Sequence, residues 1–509
     1  MPRLTDLFYN SANKYPEKQA IWCDGNSMTY AQLSTLVSQC ANYLSQNGVK
    51  YKDHIGIPMN NSIESVVLIL AAAEIGAGLV PINPSLPYSA IETAFKSGNV
   101  KHIIARKSFY KQVEKANGNL PNGLKLCLDG EFKDILPFFD INTAPVSRMQ
   151  NERITGDETL FLTMTSGSTG QPKPINLTQN NKYERAMAHI KLYDITENDR
   201  ILAATPLYHS LAERLVLLPL LIGATSILLP RFTPSIWLNC VYEQKVTFTI
   251  AVTAQLSQIA QLLSSPFVPD ISSLRSIVSS SALLEPYVRL ELIDKLKCDF
   301  HEMYGTSETS TATSINFRES INKQKSVGRA IPQADIRIIR EDESIAKTNE
   351  IGEIVCKTKL MFDGYYNMPE LTQSAFADGY FKTGDLGYLD EDGYLYFCGR
   401  KKELIITGGI NVYPQDIEQC VQQIQGIDEC AAFSYPDDRL GEVVALAVVL
   451  SQGADTTKRM IQTHCARNLA DFQQPHHIFI LQSLPKNAMG KLMKLKIIEQ
   501  VRANEIKER

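Results

Sequence analysis

The chain changes texture near residue 326, and that change bounds what it can fold into. Ahead of it, helical and strand-like segments alternate through roughly the first 300 residues, which points to a layered α/β architecture. Beyond it come short alternating stretches, "ADIRIIRED", "GEIVCKTKL" and "GYLDEDGYLYF", the last with Asp392-Gly393 as a hairpin turn signal. This reads as a small β unit. From Pro414, suited to a first helical position, the order becomes helix, strand "AAFSY", strand "VVALAVVL", a helix near 456–469, strand "HIFIL" and a last helix after Lys491. That is an α+β module of about a hundred residues, long enough to fold separately. The boundary falls in "CGRKKEL".

An early helix shows how the local signals work. Thr29 and Gln32 form a capping box; Leu33, Leu36, Val37, Cys40, Ala41 and Leu44 share one face, and Gly48 terminates. A helix with that face must pack on something.

Composition narrows the function classes. A chain of 509 residues, 44% hydrophobic and 21% charged, can bury a large core and should divide into two or more domains. Its net charge of −4 and lack of a long Lys/Arg run argue against nucleic acid or an anionic membrane as partner. Ten scattered cysteines show no Cys-x-x-Cys pair, so reduced core thiols in a cytoplasmic protein are the expectation. The N-terminal "MPRLTDLFYN" lacks an apolar signal core. The most membrane-like run, Leu215 to Pro230, is interrupted by Pro219 and Gly223 and is shorter than the ~20 residues of a spanning helix. It is expected as buried helix and strand, with no transmembrane segment.

The segment "TMTSGSTGQPKPIN" follows the apolar run "LFL". Gly, Ser and Thr are ordinary turn residues, so a polar turn is one reading. The other is an anion loop: Gly167 and Gly170 let backbone N–H groups converge, and Ser166, Ser168 and Thr169 add hydroxyls. It is not of Walker type, since Gln171 and Pro172 separate Gly170 from Lys173. Four further segments follow in order. "EMYGTSET" places Tyr304, Gly305, Thr306, Ser307 and Glu308 in a row; "YFKTGDLGYL" contributes Asp385; "GRKKELIITGGINVYPQDIE" contributes Arg400 and the pair Gly408-Gly409; "LPKNAMGK" ends at Lys491.

This ordered set, from about residue 160 to 495, resembles the adenylate-forming (AMP-binding) superfamily, in its acyl- and aryl-CoA synthetase branch. The resemblance implies an α/β N-terminal domain, 1–399, of layered subdomains with a β-barrel-like unit at about 326–399. A hinge at 400–402 and a smaller mobile α+β lid, 403–509, would follow. It implies ATP-dependent activation of a carboxylic acid to an acyl-adenylate, then transfer to the thiol of coenzyme A. Adenylate serves as leaving group because a carboxylate oxygen leaves poorly.

The roles carried over are specific. Thr165, Ser166, Gly167, Ser168, Thr169, Gly170 and Lys173 would hold the β- and γ-phosphates. Tyr304 would stack on adenine beside Gly305 and Thr306, Ser307 would donate to the α-phosphate, and Glu308 would hold Mg²⁺. Asp385 would accept from the ribose hydroxyls with Arg400 assisting; an Asx turn is its bland alternative. Lys491 would bridge the two reacting anions, whose repulsion in a water-poor site is several kcal/mol. Lys402 would be the hinge, and Gly408 and Gly409 would line a tunnel for the pantetheine arm. Pro174 stands where the family has glycine, and "AVTAQ" lacks a proline often seen there.

The acid is less defined. His209, in "TPLYHSLAERL", matches the position beside the family's acyl pocket, with Thr253–Gln255 and Ser280–Ala282 as further walls. No aspartate there would receive an amino-acid ammonium, so a fatty or aromatic acid is favoured. Arg214 is expected at the surface, paired with Glu213; the alternative is that it faces a second carboxylate, as a dicarboxylate ligase would require. An acyl-carrier protein is the alternative acceptor, and a nucleotide-binding pseudoenzyme the alternative class.

Overall fold

The computed structural model describes residues 2–149, 151–166, 172–265, 268–486 and 492–508. Among these, four sheets carry the architecture. The first seven-stranded sheet runs parallel through His54–Pro58, Gly78–Ile82 and Val100–Ala105, and closes at one edge with the antiparallel pair Thr159–Ser166 and Pro172–Thr178. The nine-stranded sheet runs parallel through Arg200–Ala203, Phe248–Val252, Ser276–Ser280 and Asp299–Tyr304. Its inner strands read as continuous apolar runs because helices cover both faces; all five residues of Phe248–Val252 are buried. A five-stranded antiparallel sheet then spans Ala334–Arg400, and another five-stranded sheet spans Ile405–Ile480.

Local chemistry explains the elements. The helix Tyr30–Gln46 begins with the Thr29–Gln32 capping box and buries Leu33, Val37, Cys40, Ala41 and Leu44, while Leu36 is half-buried. Pro414 opens the helix Pro414–Val421, where its missing N–H is harmless. The strands Tyr380–Leu389 and Leu395–Arg400 turn at Gly393, whose φ is 76°. All ten cysteines are free thiols, nine of them buried, consistent with core packing.

Two local expectations are corrected. Pro219 does not interrupt its helix, which runs Ser210–Ile222 and stops at Gly223 in the left-handed region. Arg214 and Glu213 are not a surface pair: both are buried, and each finds a different partner. Neighbours in sequence point about 100° apart on a helix, so they seldom meet.

Candidate functional site

The candidate site lies at the carboxyl ends of the parallel strands of the nine-stranded sheet, where open α/β sheets take their ligands. Tyr304 ends the strand Asp299–Tyr304. Its hydroxyl donates to Asp385 Oδ2 at 2.9 Å, reaching across to the antiparallel sheet. Asp385 is 3% exposed and lies in register with Arg400, whose Nε is 3.3 Å from Oδ1. The carboxylate therefore sits in a strand and faces two donors, which removes the Asx-turn alternative. Burial, and next the Asp385 charge, raise the Tyr304 pKa, so the phenol keeps its proton and donates.

The chain after Tyr304 turns tightly. A Cβ at Gly305 would stand 1.7 Å from the Ser310 carbonyl oxygen, so only glycine fits. Thr306 and Thr309 bond reciprocally, backbone to hydroxyl, and fix the turn that holds Ser307 and Glu308, both half-buried. Glu308 Oε1 accepts from the Tyr365 hydroxyl at 2.9 Å. Among the described residues, no cluster of three or more His, Cys, Asp or Glu could hold a metal without other ligands.

Thr165 and Lys173 are opposite each other in the antiparallel edge pair, with the Thr165 hydroxyl 3.4 Å from the Lys173 carbonyl. The Lys173 ammonium lies 5.8 Å from the Tyr365 ring centroid. Gly167, Ser168, Thr169, Gly170 and Lys491 lie outside the described residues, as does the Ser166 side chain. Pro174 occupies an edge strand. Its carbonyl accepts from Tyr366 N–H at 2.9 Å, and the reciprocal bond is the one a proline cannot make.

His209 precedes the helix Ser210–Ile222. Burial pushes its pKa down to about 4, so the imidazole is neutral, and Nε2 has no hydrogen-bond partner among the described residues. Thr253 and the Ser280–Ala282 segment do meet: the Thr253 hydroxyl donates to Ala282 O at 2.7 Å. Gln255 instead turns to Ala204 O at 3.2 Å. Lys402 is exposed in the short turn Lys401–Glu403 between the last strand of one five-stranded sheet and the first of the next. Gly408 and Gly409, with φ of 56° and 84°, form the two-residue hairpin turn joining Ile405–Thr407 to Ile410–Val412. That backbone already calls for glycine, independent of any tunnel.

Sequence reasoning missed two groups. Tyr365 follows Gly364, whose φ of 86° fixes a turn, and that glycine is the one local signal the sequence carries. Arg185, 1% exposed, donates to Leu360 O at 2.8 Å and Glu308 O at 2.9 Å. Nothing local marks it as different from a surface helix arginine.

The sequence profile of the AMP-binding enzyme family matches residues 8–366, and that of the AMP-binding enzyme C-terminal domain matches residues 416–491. The chain is 29% identical to the long-chain-fatty-acid–CoA ligase FadD13 of Mycobacterium tuberculosis, over 94% of this chain and 93% of that one. Among solved structures it is similar to ATP-bound MatB from Rhodopseudomonas palustris, with a TM-score of 0.85 and 27% identity over 97% and 98% of the two chains. It is equally similar to the o-succinylbenzoate CoA synthetase MenE of Bacillus subtilis in complex with the acyl-adenylate OSB-AMP, with a TM-score of 0.85 and 26% identity over 96% and 97%. With the profiles covering most of both parts of the molecule, the chain belongs to the AMP-binding enzyme family.

Proposed function

We propose that this chain is an AMP-forming acid:CoA ligase that activates a fatty or aromatic carboxylic acid to its acyl-adenylate and transfers the acyl group to the thiol of coenzyme A. The observation that carries the reading is the junction of Tyr304, Asp385 and Arg400, a buried carboxylate held between two sheets beside a turn that only glycine can make. A carboxylate so placed, with the Arg400 guanidinium beside it, can accept from two ribose hydroxyls. The activities for which the relatives are named, ligation of a long-chain fatty acid and of o-succinylbenzoate to CoA, support the acid class.

The donor set fits the nucleotide and its metal. Mg²⁺ prefers one or two carboxylates plus phosphate oxygens, which suits the single carboxylate Glu308 and neutralises charge on the transferred group. Ser307 would donate to the α-phosphate, the segment from Thr165 to Gly170 with Lys173 would hold the outer phosphates, and Lys491 would bridge the acid and the α-phosphate. His209, neutral at working pH, would border the acid without adding charge. A turn about Lys402 would then withdraw Lys491 and bring the Gly408-Gly409 hairpin to the site for the thiol.

Acid-dependent exchange of pyrophosphate into ATP, run across short, medium, long, aromatic and dicarboxylic acids, tests the first half-reaction, and thioester formation with free CoA tests the second. Exchange with a fatty or aromatic acid followed by CoA thioester is the expected result. Exchange without CoA transfer, but with transfer to a carrier protein's phosphopantetheine, overturns the acceptor; ATP binding with no exchange for any acid overturns the enzyme. Lys402→Pro should spare exchange while thioester formation falls by orders of magnitude, because proline fixes φ near about −65°.

A further inference from the structure

We propose that Tyr365 and Arg185 are positioning residues that together set the Glu308 carboxylate for its cation, and that the segment carrying Tyr365 locks this setting to the strand leaving the phosphate-binding loop. The inference rests on the reading of Glu308 as the metal-holding residue. Glu308 is gripped at both ends. Its carbonyl oxygen accepts from Arg185 Nη2 at 2.9 Å and from Phe362 N–H at 2.8 Å, and its Oε1 accepts from the Tyr365 hydroxyl at 2.9 Å. Fixing Oε1 fixes the side-chain rotamer and leaves Oε2 for a ligand.

Tyr365 is itself immobilised. Its N–H donates to the Thr372 hydroxyl at 2.9 Å, and that hydroxyl donates to Met368 O at 2.9 Å. The segment 360–366 is stitched along its length to what lies upstream. Leu360 O accepts from Arg185 Nε, Met361 O from Asn181 Nδ2 at 2.8 Å, and Gly364 O from Asn176 N–H at 3.0 Å. Asp363 N–H donates to Asn176 O at 2.9 Å, and Tyr366 N–H to Pro174 O. Lys173 is thus one residue from a strand position that this segment pins, and its ammonium faces the same tyrosine ring. A shift of the strand would be transmitted to Oε1 through a single residue.

Outer partners of a metal-binding carboxylate are worth about 10–100-fold in metal affinity. The test is Mn²⁺ binding, followed by electron paramagnetic resonance, to the full chain saturated with α,β-methylene ATP. Tyr365→Phe keeps the ring and its packing and removes only the donor. We expect Mn²⁺ to bind about 10–100-fold more weakly, with kcat for pyrophosphate exchange recovering at saturating metal and the KM for the acid unchanged. Arg185→Lys keeps the charge but cannot span two carbonyls, and should give an intermediate weakening; unchanged affinity removes Arg185 from the proposal. Glu308→Gln is the control that separates the two readings. If it weakens Mn²⁺ binding while Tyr365→Phe does not, the positioning proposal falls and the role of Glu308 stands. If Glu308→Gln leaves Mn²⁺ binding intact, the metal role falls and the proposal with it. In the double variant the two effects should not add; additive losses would place the tyrosine's action elsewhere and overturn the proposal.

Discussion

Two groups of charges lie within one region of this molecule and are built on opposite plans. Beneath the Glu308 turn, Lys182, Arg185 and Arg214 surround one carboxylate, Glu213, and all four are buried. Burial pushes the lysine pKa down to about 8 and the two arginines to about 9 and about 10, and it raises that of Glu213. His189, wholly buried, takes a hydrogen bond from Arg214 at 2.9 Å on Nε2, so it is neutral with its proton on Nδ1. The surplus cation charge is spread over carbonyls of Leu360 and Glu308 and the Thr311 and Ser210 hydroxyls. At the sheet junction, by contrast, Asp385 is buried but the side chain of its partner Arg400 is 38% exposed. The first group is sealed and serves to hold elements in place. The second keeps an open side, which is what a group needs in order to exchange partners with a ligand.

The sharpest way to break this contrast is to remove one charge from each group. Glu213→Ala leaves three buried cations without their carboxylate and should lower unfolding free energy by about 3–5 kcal/mol in a denaturant titration. A loss under about 1 kcal/mol would mean the cluster does not carry its full charge, and the contrast would dissolve. Asp385→Ala should act on ligand rather than fold, weakening ATP by about 1.5–3 kcal/mol through a raised ATP KM. An unchanged ATP KM would return Asp385 to a structural tie between sheets.

A third measurement concerns His209. Its folded pKa of about 4 lies below the ordinary histidine value of 6.5, so between those limits the unfolded chain takes up a proton that the folded chain refuses. Stability contributed by the neutral form is complete above pH 6.5 and is lost as pH falls toward 4. His209→Asn should flatten that part of the stability profile, and an identical slope in the variant would show the imidazole to be solvated. The smallest effect belongs to Lys401, whose exposed ammonium lies 2.8 Å from Glu353. The Glu353 side chain is only 11% exposed, but the lysine end of the pair stands in solvent that screens it, so Lys401→Ala should change stability by about 1 kcal/mol, and a larger loss would put this pair with the sealed group.

What the sequence made legible was whatever depends on near neighbours. The Thr29–Gln32 box, Pro414 at a helix start and the turn at Asp392-Gly393 each act within a few residues, and each is where the pattern places it. The tight turn at Gly305 also acts at short range, its constraint being the chain's own carbonyl five residues on, but the sequence marked that glycine only as a neighbour of Tyr304 and not as a turn. Arg214 failed for the converse reason. Its partners His189 and Thr311 lie 25 and 97 residues away, while the neighbour that seemed available, Glu213, points elsewhere and pairs with Lys182. Tyr365 and Arg185 were invisible on the same ground: their worth lies in bonds to residues 57 and 123 positions distant.

The stitched segment 360–366 also has a consequence for how the molecule breathes. Its amides and those of the strand Pro172–Thr178 close the same ladder, so neither side can open without the other. In hydrogen exchange, the amides of Asn176, Asp363 and Tyr366 should therefore trade for deuterium as one cooperative unit, at one rate, distinct from the parallel core. The missing N–H of Pro174 leaves that unit a rung short, and it is the natural place for the unit to begin to part.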